Sequence, residues 1–193
     1  MKDIMIATSN KGKVREYKSL LEPLGYIVHD LSELDPIEID ENGSTFQENA
    51  LIKAKSIQGK CNMTVIADDS GLEIDALNKE PGIHSARYLE GHDYSYKNKV
   101  LLERMKGKTD RTARFVCAIA LCDETGDHLF TGVMEGKIND QAAGDNGFGY
   151  DPIFLVEQFG KTSAQLTMEQ KNSVSHRGIA TRELLDYLKG EKK

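Results

Sequence analysis

The segment Ile4-Met5-Ile6-Ala7-Thr8-Ser9-Asn10-Lys11-Gly12-Lys13 passes from four apolar residues into a polar loop, after which Val14, Tyr17, Leu20, Leu21 and Leu24 recur at helical spacing. A short apolar run bounded by polar residues reads as a buried strand. Intervals of three and four read as an amphipathic helix, here closed by Gly25. Strand, loop and helix in that order form the unit of α/β architecture. Working outward, residues 37–44 read as a polar loop, and Thr45 with Glu48 forms a capping box opening a helix through Ala50, Leu51, Ala54 and Ile57. A strand at Val65-Ile66-Ala67 runs into Asp68-Asp69-Ser70-Gly71, where carboxylates would stand at a strand end facing a cleft. Residues 79–96, with Pro81-Gly82 and Gly91, read as loop, and residues 97–105 regain helical spacing. Residues 112–121 and 129–134 read as strands joined by a hairpin at 123–127. A glycine-rich loop follows (Gly144, Gly147, Gly149), and a last helix carries Ile179, Leu184, Leu185 and Leu188. Strands and helices around an antiparallel middle predict an α/β fold with a mixed sheet and flanking helices, in two lobes around a cleft.

With 193 residues and 39% hydrophobic content, the chain can bury one sizeable core in a single or two-lobed domain. A net charge of −6, without a lysine-rich tail or basic repeat, argues against a nucleic-acid partner, whose binding would rest on phosphate neutralisation. Any phosphate site must then be local. Cys61, Cys117 and Cys122 are odd in number and lack CxxC spacing, so neither a disulfide framework nor a zinc site is expected, and a reducing cytoplasm fits best. The N-terminus opens into the first strand with no signal-peptide core, and no run of about 18 apolar residues occurs, so no membrane segment is expected.

Four segments could carry chemistry. Thr8, Ser9, Asn10, Lys11, Gly12 and Lys13 join a strand to a helix N-terminus, where free N–H groups, the helix dipole and two lysines favour a phosphate. The spacing is not that of a Walker A loop, and a solvated turn with an Asn or Ser cap uses the same residues. Asp68 and Asp69 repel each other unless a cation or solvent relieves them. Mg²⁺, which takes one or two carboxylates plus substrate oxygens and water, would do so, with Glu38, Asp40 or Glu41 as a second source; a surface turn is the plainer alternative. Phe148-Gly149-Tyr150-Asp151-Pro152 sets two aromatics where a base could stack, or forms a turn with one core aromatic. Ser175 can cap the last helix with His176 and Arg177 facing outward as donors, while Lys53 and Lys171 alone read as helix lysines. His29, His84, His92 and His128 show no metal-like spacing.

Taken in order, six motifs closely resemble those of the inosine/xanthosine triphosphate pyrophosphatase family of nucleotide house-cleaning enzymes, over nearly the whole chain. They are Ala7-Thr8-Ser9-Asn10-Lys11-Gly12-Lys13, Glu41-Asn42-Gly43-Ser44-Thr45-Phe46-Gln47-Glu48-Asn49-Ala50, Ala67-Asp68-Asp69-Ser70-Gly71-Leu72, Pro81-Gly82-Ile83-His84-Ser85-Ala86-Arg87-Tyr88, Gly147-Phe148-Gly149-Tyr150-Asp151-Pro152 and Ser175-His176-Arg177. The resemblance implies an elongated mixed-sheet α/β domain over residues 1–193, two lobes around a deep cleft, and a homodimer. It implies hydrolysis of ITP, dITP and XTP to monophosphate and pyrophosphate with Mg²⁺, which keeps deaminated purines out of DNA and RNA. It also implies roles: Thr8 to Lys13 contact the triphosphate, Asp69 is the catalytic carboxylate and a Mg²⁺ ligand beside Glu41, and Lys53 and Ser70 bind substrate. Phe148, Gly149, Tyr150, Asp151, Lys171, His176 and Arg177 complete the nucleotide pocket. Ser9 stands where many relatives have glycine and is expected to be tolerated.

The implied reaction is attack of a Mg²⁺-activated water on the α-phosphorus, with lysines and metal stabilising the pyrophosphate leaving group. Asp69 would orient or deprotonate that water, and Asp68, Asp69 and Glu41 could share charge through one ion. Two other classes use similar residues: a non-catalytic nucleotide sensor, which needs no water-activating carboxylate, and a phosphotransferase, which the missing Walker A and kinase-type loops disfavour.

Overall fold

In the computed structural model the described residues are 2–61 and 63–190; the expected domain limits, 1 and 193, lie outside them. Seven strands form one sheet in the order β2-β1-β3-β4-β5-β6-β7. They are β1 (Lys2–Ile6), β2 (Tyr26–Asp30), β3 (Thr64–Ile74), β4 (Thr112–Asp123), β5 (Gly126–Ile138), β6 (Phe154–Val156) and β7 (Lys161–Thr162). β1 pairs in parallel with β2 and β3, whereas β5–β6 and β6–β7 are antiparallel, so the sheet is mixed as expected. Five α-helices accompany it: α1 (Lys11–Leu21), α2 (Phe46–Cys61), α3 (Tyr94–Arg104), α4 (Met168–Val174) and α5 (His176–Leu188).

The chain divides into two compact units, one comprising the described residues of Met1–Asp69, Ala118–Thr131 and Ala180–Lys193, the other Ser70–Cys117 and Gly132–Ile179. In the first, the apolar run of β1 is fully buried and α1 turns Val14, Tyr17 and Leu21 inward. α1 ends at Leu21, before Pro23, and a 3-10 turn over Glu22–Leu24 carries the chain to Gly25 in the left-handed region, leaving Leu24 exposed. α2 buries Phe46, Asn49, Ala50, Ala54 and Ile57. In the second unit Leu72, Ile74, Leu101, Met105, Phe115, Met134, Ile138, Tyr150, Ile153 and Phe154 form a continuous core.

Several expectations are corrected. Lys11, Gly12 and Lys13 are not loop but the first turn of α1. Asp68-Asp69-Ser70-Gly71 is neither a strand end nor a turn; it lies within β3, which runs on to Ile74 in a sheet where β3 stands between β1 and β4. α3 starts at Tyr94, capped by the Asp93 side chain on Tyr96 N–H, three residues before the expected position. The capping box at α2 is split: Thr45 Oγ1 accepts from Glu48 N–H, but the Glu48 carboxylate reaches past Thr45 to Ser44 N–H.

Candidate active site

The parallel register Ile6↔Ile66 sets the end of β1 beside β3, and Ala7 N–H extends the contact by donating to Ile66 O at 2.7 Å. The chain then turns into α1, where Asn10 is the cap: its Oδ1 accepts from Gly12 N–H (2.9 Å) and Lys13 N–H (3.3 Å), while Asn10 N–H donates to Thr8 Oγ1. Two of the N–H groups expected to meet a phosphate are thus engaged by the cap, and the remaining attraction there comes from the helix dipole and Lys13. Ser9 keeps an ordinary backbone; among the described non-glycine residues positive φ occurs at Asn78, Lys79 and Leu89. Lys11 is exposed.

Successive strand residues face opposite sides, so Asp68 and Asp69 meet different helices. Lys13 Nζ bonds Asp68 Oδ2 at 2.6 Å, with the Asp68 side chain only 1% exposed. From α2, Asn49 Nδ2 donates to Asp69 Oδ2 at 3.2 Å. One turn later Lys53 Nζ donates to the Asp68 carbonyl at 3.1 Å and pairs with Glu41 Oε1 at 2.7 Å. Lys13, Glu41, Lys53, Asp68 and Asp69 therefore belong to one network of opposite charges around residues 68–69 of β3. Among the described residues no three His, Cys, Asp or Glu side chains are grouped as a metal cage. Glu41 and Asp69 instead offer hard carboxylate oxygens of the kind Mg²⁺ takes when substrate and water fill the rest of its shell.

The second unit holds the other expected residues. Asp151 is 3% exposed; its carboxylate accepts from Phe148 N–H (2.8 Å), Ser163 Oγ (2.8 Å) and Lys171 Nζ (2.5 Å), so it organises the glycine-rich loop and anchors Lys171. Gly147 is required there: its φ is +79°, and a Cβ would lie 2.2 Å from Asp151 Oδ2. The two aromatics part company. Phe148 is 63% exposed, with Lys171 and Arg177 near its ring, whereas Tyr150 is buried and donates to Ser85 O at 2.7 Å, burial pushing its phenol up. Phe148 is thus the exposed ring of the pair, and Tyr150 is the one core aromatic of the alternative reading. Gly149 O accepts from Asn98 Nδ2 at 3.0 Å. Ser175 Oγ accepts from Gly178 N–H at 3.0 Å, the expected cap. His176 and Arg177 are half-buried, not outward-facing: His176 stacks on Phe115 with ring centroids 5.0 Å apart, and Arg177 Nη2 lies 3.4 Å from Ser70 Oγ. Sequence reasoning missed Asn49 and Asn98. A polar residue three positions after Phe46, on the face that turns inward, was the available signal for Asn49.

Comparison with known proteins finds relatives over nearly the whole chain. A dITP/XTP pyrophosphatase from an Exiguobacterium species is 46% identical over 97% of this chain and 99% of its own length. One from Bacillus licheniformis is 47% identical over 95% and 96%. The solved structure of the Staphylococcus aureus Ham1 protein superposes with a TM-score of 0.94 at 46% identity, covering 99% of this chain and all of that one. The model of the Ham1 family matches residues 4–187, and with relatives of this similarity over nearly the full length, the chain belongs to the Ham1 family.

Proposed function

We propose that the chain hydrolyses dITP, ITP and XTP to the nucleoside monophosphate and pyrophosphate, removing deaminated purines from the nucleotide pool. The observation that carries this reading is the network Lys13–Asp68–Lys53–Glu41 with Asp69 beside it, in a chain matched over nearly its whole length by dITP/XTP pyrophosphatases. Lys13 and Lys53 supply positive charge for the phosphates and are held in place by carboxylates before a ligand arrives, so less side-chain freedom is lost on binding. Asp69 accepts, at a carboxylate oxygen, the proton of the attacking water. Glu41 and Asp69 would hold Mg²⁺. When bound, that ion supplies neutralisation of the phosphates and a lowered pKa for a coordinated water. For the base, the exposed Phe148 ring offers a stacking face, and Arg177 and His176 offer donors to the 6-oxo group that hypoxanthine and xanthine carry and adenine lacks. The reading extends to a homodimer and a cytoplasmic setting; three cysteines, odd in number and without CxxC spacing, support a reducing compartment.

Hydrolysis of XTP in ¹⁸O-water with Mg²⁺ tests the reaction. Label in the monophosphate and none in pyrophosphate is the expected result, since attack is at the α-phosphorus. Release of orthophosphate, or label in pyrophosphate, would overturn it.

A further inference from the structure

Asn49 is fully buried on the inward face of α2, alongside Phe46, Ala50 and Ala54. An amide at such a position is costly unless both its ends are bonded, and alanine is the better helix former. Both ends are bonded. Oδ1 accepts from Gly43 N–H at 2.9 Å and Nδ2 donates to Asp69 Oδ2 at 3.2 Å. Those partners also fix which way the amide faces, because the N–H requires the oxygen and the carboxylate requires the NH₂. Gly43 is drawn so close that a Cβ there would stand 2.7 Å from both Asn49 Oδ1 and Glu48 Cβ. Gly43 lies two residues beyond Glu41, on the loop that brings the Glu41 carboxylate to Lys53, and Lys53 follows Asn49 by one helical turn. A single buried amide thus ties the Glu41 loop to the Asp69 side chain.

We infer that Asn49 is a positioning residue: it sets the rotation of the Asp69 carboxylate and the register of the Glu41 loop, so that the two carboxylates converge on one divalent cation. This rests on the assignment of Glu41 and Asp69 made above. It predicts that the amide matters to the cation and to turnover more than to nucleotide affinity, since Asn49 has no exposed surface with which to touch a ligand.

The test compares Asn49→Ala, which loses both bonds, with Gly43→Ala, which crowds the loop but keeps the amide. Mn²⁺ binding is read by electron paramagnetic resonance without nucleotide, and kcat and KM with XTP, all well below each variant's Tm. Both variants are expected to bind Mn²⁺ at least fivefold more weakly and to lose at least tenfold in kcat, with KM changed less than threefold. Asn49→Asp, equal in shape but unable to donate to Asp69, is expected to lose kcat at least as far as Asn49→Ala. Variants that only lower Tm, with Mn²⁺ affinity and kcat unchanged, would overturn the inference, as would a full-activity Asn49→Asp. If Asn49→Ala fails to fold, Gly43→Ala and Asn49→Asp carry the comparison. Unmodified protein that binds Mn²⁺ yet hydrolyses neither XTP nor dITP would remove the proposed function and leave the Mn²⁺ comparison to judge Asn49.

Discussion

Asp69 and Lys13 separate what a residue does for the reaction from what it does for the fold. Asp69→Asn keeps size and polarity but gives up a base and a good Mg²⁺ ligand, so kcat should fall about a hundredfold or more while Tm moves little; near-normal kcat would contradict its role. Lys13 is different because its partner is buried. Removing it takes the Lys13 ammonium away from a buried Asp68 carboxylate, a change that costs up to about 3 kcal/mol when a buried pair is broken from one side. Lys13→Ala should therefore lower Tm as well as raise KM for XTP, and adding Asp68→Asn should restore Tm but not KM. Thermal melts of the three proteins check this. From sequence, Lys13 read as a phosphate ligand alone, since nothing in the order of residues reveals that β3 carries residue 68 back beside α1. Other long-range contacts hid the Asn49–Asp69 bond and which of the two loop aromatics is buried. By contrast, the Asn10 and Ser175 caps were legible because a cap acts within three residues of itself.

Elements were legible where their patterns were long. β1, α1, α2, β4, β5 and α5 carry clear periodicity, whereas β6 and β7, of three and two residues, are too short to show any. α4 has a complete Thr167–Gln170 capping box, but its seven residues bury none of their number and so present no apolar stripe. Asp-Asp-Ser-Gly has the composition of a turn, yet it lies inside the eleven-residue strand β3. Two predictions belong at this scale. Ser175→Ala removes the α5 cap, should cost about 1 kcal/mol by denaturant titration, and should weaken XTP discrimination through His176 and Arg177. The turn that follows β3 is held to β4 by Asp75 and Arg114, joined by two bonds of 2.9 Å. Arg114, and after it Lys79, hold the Asp75 carboxyl down from 3.8 to about 2. A carboxyl depressed in the folded state stabilises fully above its unfolded value, and that contribution is lost as pH falls from about 4 towards 2. Arg114→Ala should then cost about 1–3 kcal/mol at pH 7 and flatten the pH dependence of Tm in that acid window. An equally steep fall in the variant would show that other carboxyls govern acid unfolding.

At the scale of the whole molecule, the mixed α/β class was legible because strand and helix periods alternate along the chain and the antiparallel middle is marked by a short turn. What periodicity could not supply is the division of labour between the units. In the proposed reading the first unit carries the lysines and carboxylates for phosphates and a cation, and the second carries the exposed Phe148 with Lys171 and Arg177 for a base. A homodimer, twice the 21.5 kDa chain mass, is expected in sedimentation equilibrium; a monomer at micromolar concentration would contradict that part of the proposal. The central claim is that the base, not the triphosphate, selects the substrate. In the proposed reading a 6-oxo acceptor meets donors of Arg177 and His176, whereas the amino group of adenine leaves them unpaired at a cost of about 1–3 kcal/mol, roughly 5- to 150-fold; guanine shares the 6-oxo group, so excluding GTP requires a second test at position 2, where its amino group meets a clash or lacks an acceptor. The most direct test is kcat/KM for XTP, ITP and dITP against ATP, GTP and CTP under one Mg²⁺ concentration. Hydrolysis of XTP and ITP at least tenfold more efficient than that of the three standard nucleotides is the result expected, and equal kcat/KM for ITP and ATP is the result that would contradict it.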